Sequence, residues 1–218
     1  RCPGTSGGRT DMRPVFMGTP DVAVPALRAL HAAGYGSARV VTSPDKQRGR
    51  GRHMSPTPVK AAAMELGIPV LEVEDLRDPA FADALRAEAA DLFVIVAFRI
   101  LPESVFTLPR IGSFNLHASL LPRYRGAAPI NWALMRGDTE SGVTTFFLQK
   151  KVDTGGILLQ RRVPLHENMT AGELHDLLAA VGAEAVVDTV RGIDDGTLAT
   201  RPQDDSQATT APKIFRET

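Results

Sequence analysis

Cysteine occurs once in 218 residues, at Cys2, which excludes an internal disulfide and a thiolate metal site. The five histidines, at 31, 53, 117, 166 and 175, fall at no ligand-like spacing, so nothing in the chain points to a bound metal. Charge of one sign is not in excess: 25 Lys and Arg stand against 25 Asp and Glu, which excludes a histone-like polycation or an acidic tail as the character of the whole chain. No run approaches the roughly 18 apolar residues that a membrane span requires, and no apolar signal-peptide core opens the chain. No repeat of solenoid period is present.

What is there is an ordinary core-forming composition. Hydrophobic residues make up 43% and 19 glycines add to them, near the roughly 45–50% of globular domains. A chain of this length can bury about 70% of its unfolded surface without staples. Residues 1–11, RCPGTSGGRTD, carry no periodicity and read as a leader or a remnant of cloning. From Met12 strands and helices alternate: RPVFMG, then a helix in VAVPALRALHAAG capped by Thr19 or Asp21; ARVVT as a strand; a polar loop from Ser43 to about Pro58; a helix at about 59–66; IPVLEV as a strand; and a helix over 79–90. LFVIVAF is apolar at every position, the mark of a strand buried on both faces of a parallel sheet. GSFNLH reads as another strand, PINWALMRG as a short helix, and VTTFFLQ with ILLQRRV as an antiparallel pair around VDTGG. Thr170 and Glu173 form a capping-box pattern before an amphipathic helix at 171–191. The fold class is therefore α/β, a Rossmann-like open, mostly parallel sheet with helices on both faces. The domain spans residues 12–199, and residues 200–218 lack a core pattern.

A first strand followed by a glycine turn and a helix invites a dinucleotide reading. MGTPD, however, has one glycine where that fingerprint has three, and GRGRH lacks the Lys-Ser/Thr ending of a phosphate loop. Gly18 is better read as permitting a tight turn. Ligands of open α/β sheets sit beyond the carboxyl ends of the strands, which directs attention to residues 18–21, 42–58, 97–102 and 115–129. In FNLHASLLP, Asn115 and His117 lie two apart and project from one face of a strand. An amide donor and an imidazole so placed can hold the oxygen of a tetrahedral intermediate and move a proton, the needs of acyl transfer. A third candidate is Asp153 in VDTGG, whose carboxylate could accept a proton or keep His117 charged. Each residue has a bland alternative: a satisfied core histidine, a turn asparagine, an aspartate that begins a tight turn. Spacing alone leaves the two readings level.

Charge is unevenly placed. Between Ser43 and Lys60 stand five cations, Lys46, Arg48, Arg50, Arg52 and Lys60, against Asp45, a net +4 within 18 residues. A run of this kind is usually a solvated face, but one interrupted by Gly49 and Gly51 beside a predicted cleft can also follow a phosphate backbone.

Four segments, FMGTPDVAVPAL, AFRILP, NLHASLLPRYRGAAPINWAL and VDTGGIL, resemble the methionyl-tRNA formyltransferase family, and SLLPRYRGAAPI is the most specific of the matches. The resemblance implies transfer of a formyl group from 10-formyltetrahydrofolate to the amino group of initiator methionyl-tRNA, without a metal. Its catalytic trio falls on Asn115, His117 and Asp153. Its folate site falls on Phe98, Arg99, Ile100 and Leu101, with main-chain groups of the last three on the pterin edge, and on Ser119, Leu120, Leu121 and Pro122 over the cofactor tail, where Arg123 or Arg125 would meet a glutamate or RNA. Many members have Gly where Arg99 stands, so the Arg99 side chain is given no role. Its tRNA contacts fall on Lys46, Arg48, Arg50 and Arg52. The resemblance also implies a monomer of the bacterial cytosol, or of an organelle, and a linker from residue 200 toward an OB-like domain not contained in this chain. Related folate-dependent formyltransferases acting on glycinamide ribonucleotide or amino sugars share the trio. A folate- or RNA-binding module without turnover would share the fold.

Overall fold

The computed structural model describes residues 12–48 and 53–215. Strands and helices alternate through most of the chain: β1 Pro14–Met17, α1 Val24–Ala32, β2 Arg39–Thr42, β3 Lys46–Arg48, β4 His53–Ser55, α2 Pro58–Glu65, β5 Val70–Glu72, α3 Pro79–Ala87, β6 Leu92–Val96, α4 Glu103–Phe106, β7 Gly112–His117, α5 Pro129–Met135, β8 Glu140–Phe147, β9 Ile157–Pro164 and α6 Ala171–Asp194. One seven-stranded sheet runs in the order β5-β2-β1-β6-β7-β8-β9. Its first five strands are parallel, and β8 and β9 add an antiparallel margin.

The period-2 alternation of the strands divides the core into two layers. Phe16, Val40, Val94 and Phe114 face α1, α2 and α6, whereas Val15, Met17, Val41, Phe93 and Ile95 face α3 and α4. Every residue of β6 is buried, as its unbroken apolar run predicts. The capping box is present: the Thr170 hydroxyl accepts from Glu173 N–H, and the Glu173 carboxylate accepts from Thr170 N–H.

Several local expectations are corrected. Neither Thr19 nor Asp21 caps α1; Thr19 bonds the Ser43 hydroxyl, and Asp21 opens a short 3-10 turn that precedes the helix. Gly18 does not occupy the left-handed region. Its missing side chain matters because a Cβ there would lie 2.9 Å from the Val96 carbonyl of β6. The polar stretch 43–58 is not all loop, since β3 and β4 pair as an antiparallel ribbon outside the main sheet. Residues 201–212, which carry no periodic pattern, lie along the domain as a strap. Arg201 bridges to Ile157 and Thr210 to Arg125, and Ala211 is fully buried beside Tyr124 and Ala133. Backbone pairing, polar side-chain contacts and the buried Ala211 methyl hold this strap, so no hydrophobic period announces it.

Candidate active site

A cavity of about 650 Å³ opens beyond the carboxyl ends of β6 and β7. Chain reversal places the switch between β1 and β6, where β1 continues to β2 on one side and the later strands extend on the other. Asn115, His117 and Asp153 all line this cavity, although 35 residues of chain separate the last two. Asn115 pairs with Ile95 of β6 and Phe146 of β8, and His117 with Thr144. The register of β8 on β9 shifts between Thr145 and Phe146, the second of which pairs with Asn115. Such irregularities commonly re-aim side chains beside sites.

The His117 ring is fixed on one edge. It is buried at 7% exposure, its Nε2 lies 2.8 Å from the Tyr124 carbonyl, and Phe146 meets it edge-to-face. A carbonyl can only accept, so Nε2 carries the hydrogen in either protonation state and Nδ1 is left for a substrate. The Asn115 amide makes no hydrogen bond among the described residues. Asp153, left-handed at φ 55°, turns Oδ2 to the Gly126 N–H at 2.9 Å. Asp153 and His117 are not hydrogen-bonded to one another. Gly126 takes one carboxylate oxygen, and Oδ1 remains free among the described residues. The glycines of VDTGG serve close packing. A Cβ on Gly155 would stand 1.6 Å from the Phe147 carbonyl, and one on Gly156 would stand 2.1 Å from the Thr200 methyl.

Phe98, Arg99, Ile100 and Leu101 form one wall of the cavity. Main-chain groups of Arg99, Ile100 and Leu101 make no hydrogen bonds among the described residues, which leaves an open polar edge beside apolar surface. Leu101 packs in the core at 4% exposure while Ile100 stands 75% exposed. The Arg99 side chain turns away to the carbonyls of Val73 and Glu74 and lies against the Phe98 ring. Its sequence gave no signal of this tether.

The second cofactor segment is displaced from where it was expected. Ser119, Leu120, Leu121 and Pro122 do not line the cavity; Ser119 donates to the Arg123 carbonyl, and Leu120 and Leu121 are buried. Gly126 through Asn131 line it instead. The arginines of this loop are engaged by protein. Arg123 pairs with Asp138 at 2.8 Å, and Arg125, 13% exposed in its side chain, pairs with Gln203 and Asp205. Sequence reasoning also missed Tyr124. Its hydroxyl donates to Asp138, and burial followed by that carboxylate raises its pKa above the ordinary value, so it stays protonated at neutral pH. Of the predicted tRNA contacts, Lys46 and Arg48 lie in β3, while Arg50 and Arg52 lie outside the described residues. Lys60 is committed to Asp45 and Glu72. Among the described residues no three potential metal ligands cluster, and no helix is long and apolar enough to cross a membrane.

A family model described as formyl transferase matches residues 12–190. The chain belongs to the formyl transferase family. Among curated members of the family it is similar to the methionyl-tRNA formyltransferases of Chlorobium phaeovibrioides, at 53% identity over 95% of this chain and 66% of that protein, and of Chlorobium luteolum, at 56% over 94% and 67%. The corresponding protein of Bacteroides thetaiotaomicron is 50% identical over 96% of this chain and 66% of its own length. The chain thus spans about two thirds of these relatives. Solved formyltransferase structures share the fold at lower identity. Glycinamide ribonucleotide transformylase 1 from Symbiobacterium toebii superposes with a TM-score of 0.74 at 23% identity, covering 88% of this chain and 94% of that one. The sugar 3N-formyltransferase WlaRD superposes at 0.70 and 19% identity, covering 94% and 71%.

Proposed function

We propose that the chain transfers the formyl group of 10-formyltetrahydrofolate to the α-amino group of methionine on initiator tRNA. The observation that carries the chemistry is the meeting of Asn115, His117 and Asp153 on one cavity, with an amide, an imidazole nitrogen and a carboxylate oxygen that are free among the described residues. Identity near 50% to methionyl-tRNA formyltransferases supports the acceptor. The fit of a folate donor rests on the open main-chain edge at Arg99–Leu101, suited to a pterin's donors and acceptors, and on a cavity within the roughly 300–1,000 Å³ of small-molecule sites.

As the amine attacks the formyl carbon, charge develops on the formyl oxygen. The Asn115 amide and a protonated His117 Nδ1 donate to it, and Asp153 Oδ1 takes the proton that the amine sheds, directly or through a water. That proton is then returned to the departing folate nitrogen. Gly126 N–H holds the other Asp153 oxygen and keeps the carboxylate aimed through the cycle. The basic run of Lys46, Arg48, Arg50 and Arg52 supplies the contact to tRNA phosphates, and the chain acts as a monomer in the cytosol.

The test is single-turnover formylation with charged initiator tRNA, glycinamide ribonucleotide and an amino sugar as competing acceptors. Formyl appearing on methionyl-tRNA ahead of both competitors is the expected result. Preferential transfer to either small acceptor overturns the assignment, and folate binding with no transfer to any acceptor identifies a binding module.

A further inference from the structure

We propose that Gln203, in the C-terminal strap, is a positioning residue for Asp153. Its side-chain amide is used at both ends. Oε1 accepts from Arg125 Nε at 3.1 Å and Nη2 at 2.7 Å, while Nε2 donates to the Asp153 carbonyl at 3.0 Å and the Gly155 carbonyl at 2.8 Å. One planar group therefore ties the loop that follows β7 to the turn between β8 and β9. No backbone hydrogen bond among the described residues joins those two segments directly. Their other link is Gly126 N–H to the Asp153 carboxylate, one residue beyond Arg125.

The strap that carries Gln203 is itself anchored on both sides. Arg201 exchanges backbone hydrogen bonds with Ile157 at 2.7 and 2.8 Å, at the start of β9. Beyond Gln203, Arg125 N–H donates to the Thr209 carbonyl at 2.8 Å, and Ala211 N–H donates back to the Arg125 carbonyl at 2.7 Å. The Arg125–Asp205 ion pair closes the same ring of contacts. Gln203 thus spans between two fixed points and can transmit the position of one to the other. Asp153 gains from such support because its left-handed backbone, at φ 55°, costs free energy that surrounding contacts offset. Removal of the clasp lets the turn relax and moves the carboxylate, and misplacement by about 1 Å at a reacting centre can lower rate by about 100-fold.

The inference rests on the proposed formyl transfer for its kinetic arm, but not for its structural one. In the Gln203→Ala variant, kcat is expected to fall about 10- to 100-fold with the folate KM within about threefold of the parent. Exchange of the Gly126 amide hydrogen, read by NMR or mass spectrometry, is expected to quicken about tenfold as its bond to Asp153 opens. Gln203→Glu keeps the acceptor for Arg125 and loses the donor to both carbonyls, and it is expected to repeat both losses while retaining the folded strap. It also carries the test should Gln203→Ala not fold. A lowered melting temperature with parental kcat and parental Gly126 exchange would make Gln203 a packing residue and overturn the proposal. If the parent transfers no formyl group, the proposed function fails and the Gly126 exchange arm still decides the role of Gln203.

Discussion

Tyr124 sits in the left-handed region at φ 61°, and the consequence falls on His117, whose Nε2 meets the carbonyl that this backbone turns inward. A left-handed non-glycine costs about 1–2 kcal/mol. It is sustained here by a buried ring, a hydroxyl on Asp138 and the guanidinium groups of Arg123 and Arg136 against its faces. Ala97 and Asp153, both cavity-lining, are left-handed as well. With the imidazole held from behind and the Asn115 amide unpartnered among the described residues, loss of either group is expected to act on turnover rather than on folding. Asn115→Ala should lower kcat about 10²- to 10³-fold and His117→Ala or Asp153→Asn about 10²- to 10⁴-fold, with far-UV circular dichroism unchanged. Normal turnover in a folded variant would remove that residue from the chemistry. Gly155→Ala is a sharper packing test, since its Cβ would collide with the Phe147 carbonyl. Overpacking of this kind costs about 1–3 kcal/mol, so a reduced melting temperature together with reduced kcat is expected.

At the scale of elements, α6 shows how a local signal is read directly by the backbone. Hydrogen bonds from the Thr170 backbone and hydroxyl hold the Glu173 carboxyl below its ordinary pKa. A lowered folded value means that its contribution is complete above the ordinary glutamate range and is lost as pH falls through the lowered one. The difference in melting temperature between the parent and Glu173→Gln is therefore expected to shrink from about pH 5 to about pH 3. A constant difference over that range would show that the carboxylate charge contributes nothing to the cap. The ribbon of β3 and β4 poses an electrostatic question. With Lys60 committed to Asp45 and Glu72, the proposed phosphate contacts number four, Lys46, Arg48, Arg50 and Arg52. The slope of log affinity for tRNA against log salt should then be roughly −3.6, and neutralising Arg48, Arg50 and Arg52 should flatten it by about 2.7. An unchanged slope would place the tRNA elsewhere.

For the whole molecule, a net charge of zero concealed this local concentration of positive charge, which only partition along the chain exposes. The seven-stranded sheet was legible because burial writes itself into the sequence: the all-apolar runs of β1 and β6 and the capping box before α6 each reflect forces that act within a few residues. So was the joint candidacy of Asn115 and His117, which needs only the period of a strand. Three things required the folded chain. Asp153 reaches the same cavity through the β8–β9 turn, yet its partner is Gly126 and not His117. The stretch after SLLPR lines the site where the stretch before it was expected, because Ser119 to Leu121 are drawn into the core. Residues 201–212 clasp the site through backbone pairing, the Gln203 amide and the Arg125–Asp205 ion pair, interactions that leave no periodic pattern. The sequence by itself determined the seven strands of the main sheet, its long flanking helices and the chemical groups on offer. Tertiary structure decided which of those groups meet, because hydrogen bonds between distant segments depend on where the backbone is carried and not on which neighbours it has in the chain.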